Sequence, residues 1–191
     1  MFVGEERVII LANGETPLTG VKLVIYKKIV QGDFRKFRAE SNDTPSGGGA
    51  RDLRFSPANE FTQQFNRMFN GPGTDGTLTG HLYWNGLPPT DVIIHQPTNA
   101  RPNEVRIGTV HQCFPSQVLP VDSNDCILLL VLDNEDRVWP SFTTEHSLRN
   151  DNWHPAVKEP ILRGLYARRS DRVTPMGYVD IENGREWTNG R

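Results

Sequence analysis

Histidine and cysteine are the side chains of this sequence best suited to nucleophilic or metal chemistry. His111 and Cys113 stand two positions apart, so on a strand they would share one face, as a nucleophile and its base do. The sequence offers no third group to orient the histidine, and its five histidines and two cysteines show no metal-ligand spacing. G-x-S-x-G, H-E-x-x-H, Walker and G-x-G-x-x-G motifs are also absent. We therefore predict no catalytic, metal or cofactor site in this chain.

Carboxylates could instead support metal-dependent hydrolysis of phosphodiesters, which needs clustered acids beside a lysine. The acids within residues 133–136 are grouped, but their arrangement is typical of a solvated hairpin tip. A stand-alone Mg²⁺-dependent nuclease stays open as an alternative, with its acids drawn from Asp91, Glu104 and Asp125.

Hydrogen-bonding side chains of the kind that read DNA bases are concentrated in two segments. Residues 41–51 carry short polar groups around Gly47-Gly48-Gly49 and end in Arg51, which predicts a loop whose backbone can approach another molecule closely. In a DNA major groove, Asn reads adenine, Asp accepts from cytosine and Arg reads guanine. Residues 101–115 form the second segment, a polar strand that leads into an irregular loop. From composition alone, an ordinary surface loop is the favoured interpretation of residues 41–51.

Charge is distributed unevenly along the chain. Residues 21–54 hold eight Lys and Arg against four Asp and Glu, whereas the whole chain holds 21 against 23 and has a formal net charge of −2. A local basic segment favours a site-specific nucleic-acid binder over a general polyanion binder, because phosphates attract Lys and Arg at any sequence. On charge alone, a solvated strand face is the simpler interpretation.

Apolar patterning and cysteine content indicate where the protein works. The longest apolar run, Cys126 to Leu132, is far shorter than the ~20 residues of a membrane span. The two cysteines imply no disulfide framework, which fits a reducing cytosol. We expect a cytoplasmic protein that has no membrane partner.

Short strands separated by turn residues dominate the chain, so the predicted fold class is mainly β with one or two helices (α+β). Ser56-Pro57 is a typical helix start, and the apolar stripe that follows it predicts a helix over 57–69. Residues 157–166 have the pattern of a second, proline-interrupted helix. The predicted strands cover residues 7–11, 21–30, 34–38, 77–84, 91–95, 104–110, 126–133 and 137–142. Residues 1–165 are predicted to form one domain, and residues 166–191 a polar tail or linker that could carry an extra hairpin at Asn183-Gly184.

Two stretches occur in the order found in a known family of DNA readers. The first comprises Arg38-Ala39-Glu40-Ser41-Asn42-Asp43-Thr44, Gly47-Gly48-Gly49-Ala50-Arg51 and Leu53-Arg54-Phe55-Ser56-Pro57. The second comprises Arg101, Asn103-Glu104-Val105-Arg106-Ile107, the loop 108–125, the aliphatic strand 126–132 and the acidic hairpin 133–136. Over about residues 20–145, the chain resembles the N-terminal effector domain of the EcoRII-type restriction endonucleases, which is related to the DNA-binding pseudobarrel of plant auxin-response transcription factors.

Two positions depart from the family pattern. Ala50-Arg51 stands where the family has His-Gln after the glycine pair, and Thr109 to Gln112 replaces an Arg/Gly-rich start of the second arm. Both departures fall on base-reading positions, which is where a different target sequence requires different side chains.

The resemblance implies a seven-stranded-type open pseudobarrel with two DNA-gripping loops that read a short double-stranded site in the major groove. It implies a bacterial restriction-modification function, in which the nuclease is a partner chain or a domain that follows about residue 166. The DNA-binding residues implied are Lys36 and Arg38 as backbone clamps; Ser41, Asn42, Asp43, Thr44, Ser46, Gly48 and Arg51 in the first arm; Arg101 and Arg106 on phosphates or bases; His111, Gln112, Ser116 and Gln117 in the second arm; and Arg54 and Asn103 in the same interface.

Other assignments remain open beside this one. Glu104 is expected to be a structural acid that holds Arg106 or Arg101 rather than a catalytic group. A third function class, a small-molecule-binding or assembly β-barrel, would use the glycine-rich loop only to cap a pocket. That class predicts no salt-dependent DNA binding, because no phosphates would be neutralised.

Overall fold

The computed structural model describes residues 20–38 and 51–190 of the chain. These residues divide into two compact units: the first contains residues 20–29, 83–88 and 124–190, and the second contains residues 30–38, 51–82 and 89–123. Within the described ranges the elements are β1 (Val21–Lys28), α1 (Gln31–Arg38), β2 (Leu53–Phe55), α2 (Ala58–Met68), β3 (Gly71–Pro72), β4 (Thr77–Trp84), β5 (Leu87–His95), β6 (Val105–Ile107), α3 (Val110–Cys113), a 3₁₀ turn (Ser116–Val118), β7 (Cys126–Asp133), β8 (Val138–Thr144), α4 (Glu145–Asn150), α5 (Pro155–Tyr166), β9 (Met176–Asp180) and β10 (Arg185–Thr188).

The first unit is built on an antiparallel sheet in the order β10-β9-β1-β7-β8. All eight residues of β7 are buried, which explains why its sequence is a continuous apolar run rather than an alternation. Val157 and Ile161 of α5 belong to the same core cluster as Tyr26 of β1. The proline-interrupted helix predicted over 157–166 is present as α5, which contains Pro160.

A C-terminal hairpin extends this sheet. β9 pairs with β1, for example Tyr178 with Ile25, and also with β10. Gly184 at the turn has φ +61°, a left-handed value that favours glycine, as the Asn183-Gly184 signal predicts. Residues 176–180 and 185–188 thus form the hairpin that the Asn183-Gly184 signal suggests, and they belong to the first unit.

In the second unit, the strand order is β4-β5-β6-β2, with β3 beside β4. α2 packs against these strands through aromatic rings, since Phe61 and Phe65 lie 5.5 and 5.0 Å from Phe55 of β2 between ring centroids. The helix predicted over 57–69 is confirmed, and its apolar stripe is core.

Residues 34–38, predicted as a strand, are helical. A strand would place Phe34 and Phe37 on opposite faces, because side chains alternate with a period of two. In α1 these two residues, three positions apart, share the buried face, while Arg35 and Arg38 are exposed. The strand prediction identified the buried and exposed residues but assigned the wrong period.

The predicted class, mainly β with helices (α+β), is confirmed. Over residues 20–38 and 51–190 the chain has ten strands and five α-helices, more than the seven strands that the resemblance implies and the one or two helices expected. The extra helices are short segments such as α1, α3 and α4, whose lengths of eight, four and six residues give weak periodic signals. No helix in the described ranges is long and apolar enough to cross a membrane.

Candidate nucleic-acid interface

The second unit contains every predicted DNA-binding residue that the structure describes. These are Lys36, Arg38, Arg51, Arg54, Arg101, Asn103, Arg106, His111, Gln112, Ser116 and Gln117. The other members of the first arm lie outside the described residues, namely Ser41, Asn42, Asp43, Thr44, Ser46 and Gly48. Residues from both predicted arms therefore belong to one compact unit.

The two residues that flank the first arm both contact the second predicted reading segment. Nη2 of Arg38, the last residue of α1, donates to the carbonyl oxygens of Pro120, at 3.3 Å, and of Val121. The carbonyl oxygen of Arg51 accepts a hydrogen bond of 3.2 Å from the amide of Val110, the first residue of α3. Arg38 and Arg51, which we call the roots of the first arm, are thus hydrogen-bonded to the two ends of the segment 110–121.

A pair of buried aromatic rings joins α1 to the segment 110–121. The buried rings of Phe37 in α1 and Phe114, just after α3, meet edge to face with centroids 4.9 Å apart. The guanidinium of Arg38 lies 4.5 Å from the centroid of the Phe34 ring, a cation–π distance. These contacts hold an exposed cation at a defined position beside the reading segment.

Side chains of α1, α3 and residues 114–121 line an open groove of about 560 Å³ at this junction. His111 contributes to its wall, and its buried Nδ1 has no hydrogen-bond partner. Burial lowers the pKa of His111, and the nearby cation of Arg51 lowers it further. A neutral imidazole offers one donor and one acceptor, which suits polar recognition better than phosphate binding.

Arg106 is buried, in contrast to the surface role that the sequence prediction gave it. Its side chain is 9% exposed, and its Nη1 lies 2.6 Å from Oδ2 of the buried Asp52. Its Nε lies 3.6 Å from Oε1 of Glu104. The guanidinium is directed at these two carboxylates, so we assign Arg106 a positioning role and remove it from the DNA-contacting set.

Asp52 links both arms through its second oxygen. Oδ1 accepts the amide of Thr109 at 3.1 Å, and Thr109 has the left-handed φ of 45°. Such backbone strain persists only where surrounding contacts fix it. Asp52 directly follows Arg51 and Thr109 directly precedes α3, so these contacts of Asp52 hold Arg51 and the start of α3 close to each other.

A second groove, of about 490 Å³, is lined by Arg54, Ser56, Arg101, Asn103 and neighbouring backbone. Glu104 lies at its wall, 3.3 Å from Nη1 of Arg101 and 3.7 Å from Nε of Arg54. This agrees with the structural role expected for Glu104. The side chains of Arg54 and Arg101 remain 50% and 35% exposed, so both cations can reach a phosphate oxygen while the carboxylate orients them.

The cations of α1 differ from those named by sequence reasoning. Lys36 is paired at 2.9 Å with Asp33, one turn earlier, and its side chain is 22% exposed. Arg35 is exposed and lies three residues before Arg38 on the same side of the helix. The strand prediction also placed Arg35 outside, but Arg35 was not among the predicted DNA contacts. The helical period of α1 is the signal that groups it with Arg38.

The candidates for catalysis are not assembled into a site within the described residues. Burial raises the pKa of Cys113 to about 12, so its thiol stays protonated and is a poor nucleophile. Asp91 pairs with His81 at 3.0 Å on the surface, and Glu104 belongs to the arginine network. Across residues 20–38 and 51–190, no three His, Cys, Asp or Glu side chains are grouped as metal ligands.

The surface at the junction of α1, α3 and the segment 110–121 combines exposed arginines with hydrogen-bonding side chains. Gln112, Ser116 and Gln117 are exposed along the segment, and Arg38 and Arg51 flank it. Comparison of the chain with protein-family models, curated proteins and solved structures found no match. The chemistry of these side chains suits contacts to phosphates and to the edges of bases.

Proposed function

We propose that this protein is a sequence-specific double-stranded-DNA recognition domain of a bacterial restriction system. The observation that carries the proposal is the contact of both roots of the first arm, Arg38 and Arg51, with the second reading segment 110–121. A first arm whose two flanking residues are bonded to the second segment could enter one major groove together with that segment.

Phosphate contacts would come from three exposed arginines of this unit and from the half-buried Arg101. Arg35, Arg38, Arg54 and Arg101 offer cations that attract the DNA backbone without sequence preference and set the register of the domain. Base contacts would come from Arg51, from the polar side chains of residues 41–46 and from the second arm. Gln112 and Gln117 can bond adenine through its N6 and N7 atoms, and Arg51 can bond guanine through O6 and N7.

Cleavage is assigned to a separate nuclease, in cis after this domain or in trans. The contacts of Arg38 and Arg51 with the segment 110–121 support a binding role for this unit, and the proposal leaves hydrolysis to that nuclease. The cytoplasm is the proposed location, because cellular DNA is there and both cysteines are free.

Selection of bound duplexes from a randomised double-stranded pool tests this function, with Mg²⁺ present and affinity followed against salt. Enrichment of one short motif that stays uncut, with affinity falling as salt rises, is the expected result. Enrichment accompanied by cleavage would favour the stand-alone nuclease. Absence of binding at low salt would overturn both DNA functions and leave the small-molecule or assembly barrel.

Arg51→Ala is expected to weaken binding to the selected motif by about 1–3 kcal/mol, the value of one bidentate base contact. Binding to unrelated duplexes should change much less, because a base reader contributes little to nonspecific affinity. Fluorescence anisotropy with both duplexes measures the two effects. Arg185→Ala, at an exposed arginine of the first unit, is the matched control and should leave both affinities unchanged.

Arg54→Ala is expected to behave in the opposite way. Loss of a phosphate contact weakens binding to all duplexes about equally and reduces the slope of log K against log salt by about 1. Titrations at four salt concentrations with the motif and a scrambled duplex give this slope. A selective loss at the motif, with an unchanged slope, would show that Arg54 reads a base.

A further inference from the structure

The segment 119–123 presents one apolar side chain to solvent, at the groove that Arg38 and His111 also line. Val121 is 88% exposed, whereas the next most exposed large apolar side chain in the described ranges, Tyr166, is 59% exposed. A single exposed apolar residue is ordinary on a protein surface. Val121 differs from an ordinary exposed residue in its polar neighbours and in the hydrogen bonds that hold its backbone.

The backbone at Val121 is fixed from the protein side. Arg38 donates to the carbonyl oxygens of Pro120 and Val121, and the preceding 3₁₀ turn is closed by hydrogen bonds from the amides of Val118 and Leu119. Proline at position 120 restricts φ, and the β-branched valine has few side-chain rotamers. The isopropyl group is therefore held outward at little further cost in conformational entropy.

The isopropyl group of Val121 can neither donate a hydrogen bond nor carry a charge, so a phosphate is not a target for this side chain. The cation at this tip is that of Arg38, which donates to the backbone of Pro120 and Val121. Along the same segment, Gln112 and Gln117 are exposed and suited to the N6 and N7 atoms of adenine. In an A·T pair, the thymine 5-methyl group lies beside those adenine atoms in the major groove. It is the one apolar group that an unmodified base pair presents there.

We propose that Val121 is a specificity-determining residue that contacts a pyrimidine 5-methyl group in the major groove of the bound duplex. The inference rests on the proposed DNA-recognition function and adds to it the chemical group that this loop reads. Two bases carry such a group at the same position, thymine and 5-methylcytosine. The methyl contact is shared by both, and substituted duplexes distinguish them.

The test uses the full chain and the motif obtained by selection. Each thymine in turn is replaced by deoxyuridine, which deletes only the methyl group, and each cytosine in turn by 5-methylcytosine, which adds one. Affinities of the wild type and of Val121→Ala are measured by anisotropy for every duplex. Val173→Ala, at another exposed valine that lies in the first unit, is the control.

If Val121 reads thymine, one deoxyuridine position weakens the wild type about three- to tenfold, as loss of a buried methyl contact predicts. At that position Val121→Ala shows the same weakening on the unmodified duplex and no further loss with deoxyuridine. If it reads 5-methylcytosine, one methylated position strengthens wild-type binding by a similar factor and leaves the variant unchanged. Either pattern supports the proposal, because the effects of protein and DNA changes are coupled.

Equal behaviour of Val121→Ala and the wild type on all duplexes would overturn the inference while leaving the recognition function intact. Equal sensitivity of both proteins to every methyl change would also overturn it. Selection of no motif by the wild type would remove the recognition function itself, so the two failures are distinguishable. Thermal unfolding of Val121→Ala should match the wild type, because the side chain is exposed.

Discussion

Asp52→Ala is expected to destabilise the protein by about 3–5 kcal/mol, the usual cost of removing one partner of a buried ion pair. The variant leaves the guanidinium of Arg106 buried without its 2.6 Å partner and the amide of Thr109 without its acceptor. Urea unfolding followed by fluorescence measures the change. A loss below about 1 kcal/mol would contradict a buried, coupled pair.

A double variant distinguishes the effect of losing the buried charges from the effect of losing the contact with Thr109. Asp52→Leu combined with Arg106→Met removes both charges and fills similar volume, so its stability should exceed that of Asp52→Ala. The amide of Thr109 remains without its acceptor, and the start of α3 should lose its fixed position. We therefore expect the double variant to fold but to bind the selected motif less tightly than the wild type.

Asp133→Ala is the second substitution with a large expected effect, about 3 kcal/mol of stability. Oδ1 of Asp133 accepts the amides of Glu135 and Arg137 at 2.8 and 2.9 Å. Oδ2 accepts Nε of Arg137 at 2.9 Å and Nε1 of Trp139 at 2.8 Å. Alanine leaves these four donors without their acceptors at the β7–β8 turn. The matched control, Asp136→Asn, alters an ion pair whose carboxylate side chain is 70% exposed and should cost less than about 1 kcal/mol.

The carboxylate of Asp133 should also make the stability of the protein depend on pH. Burial alone would raise the pKa of Asp133, but the hydrogen bonds from Arg137, Trp139 and Glu135 outweigh it and hold the pKa below its ordinary value. A depressed folded pKa contributes stability that is fully present above the unfolded value, about 4, and is lost as pH falls through the folded value. The stability difference between the wild type and Asp133→Asn should therefore shrink from about pH 6 to about pH 3. A constant difference over this range would contradict the assignment.

In DNA recognition, the segment 110–121 would use charged, polar and apolar contacts, and each kind of contact comes from a different residue. Arg38 has two roles in them, since it is exposed beside the reading segment and also holds the carbonyl oxygens of Pro120 and Val121. Its substitution is therefore a poor test of either role alone. Arg51, Arg54 and Val121 are more informative, because each affects one kind of contact: a base edge, a phosphate or a methyl group.

Strong local patterns were read correctly from the sequence. The stripe of Phe61 and Phe65 after Ser56-Pro57 specified α2, and the apolar run 126–133 specified β7. The Asn183-Gly184 signal specified a turn that requires a left-handed residue. In these places one physical requirement dominates within a few residues: burial of one helix face, burial of a whole strand, or a positive φ.

Residues 34–38 mark the limit of such patterns. Five residues with aromatic and basic side chains fit either period, and the choice depended on contacts made far along the chain, such as that of Phe37 with Phe114. The pairing of β9 with β1 has the same origin, since polar composition near the C-terminus does not indicate a partner strand. Long-range packing decided both cases.

The chemical groups of the candidate site follow from the amino-acid sequence: a basic first segment, two polar segments and no catalytic motif. Which of these groups face solvent depends on the three-dimensional fold. It buried Arg106 against Asp52, exposed Arg35 and Val121, and set Arg38 and Arg51 against the segment 110–121. The reason is physical: residue type fixes what a side chain can bond, whereas exposure and proximity follow from packing among residues far apart in the chain.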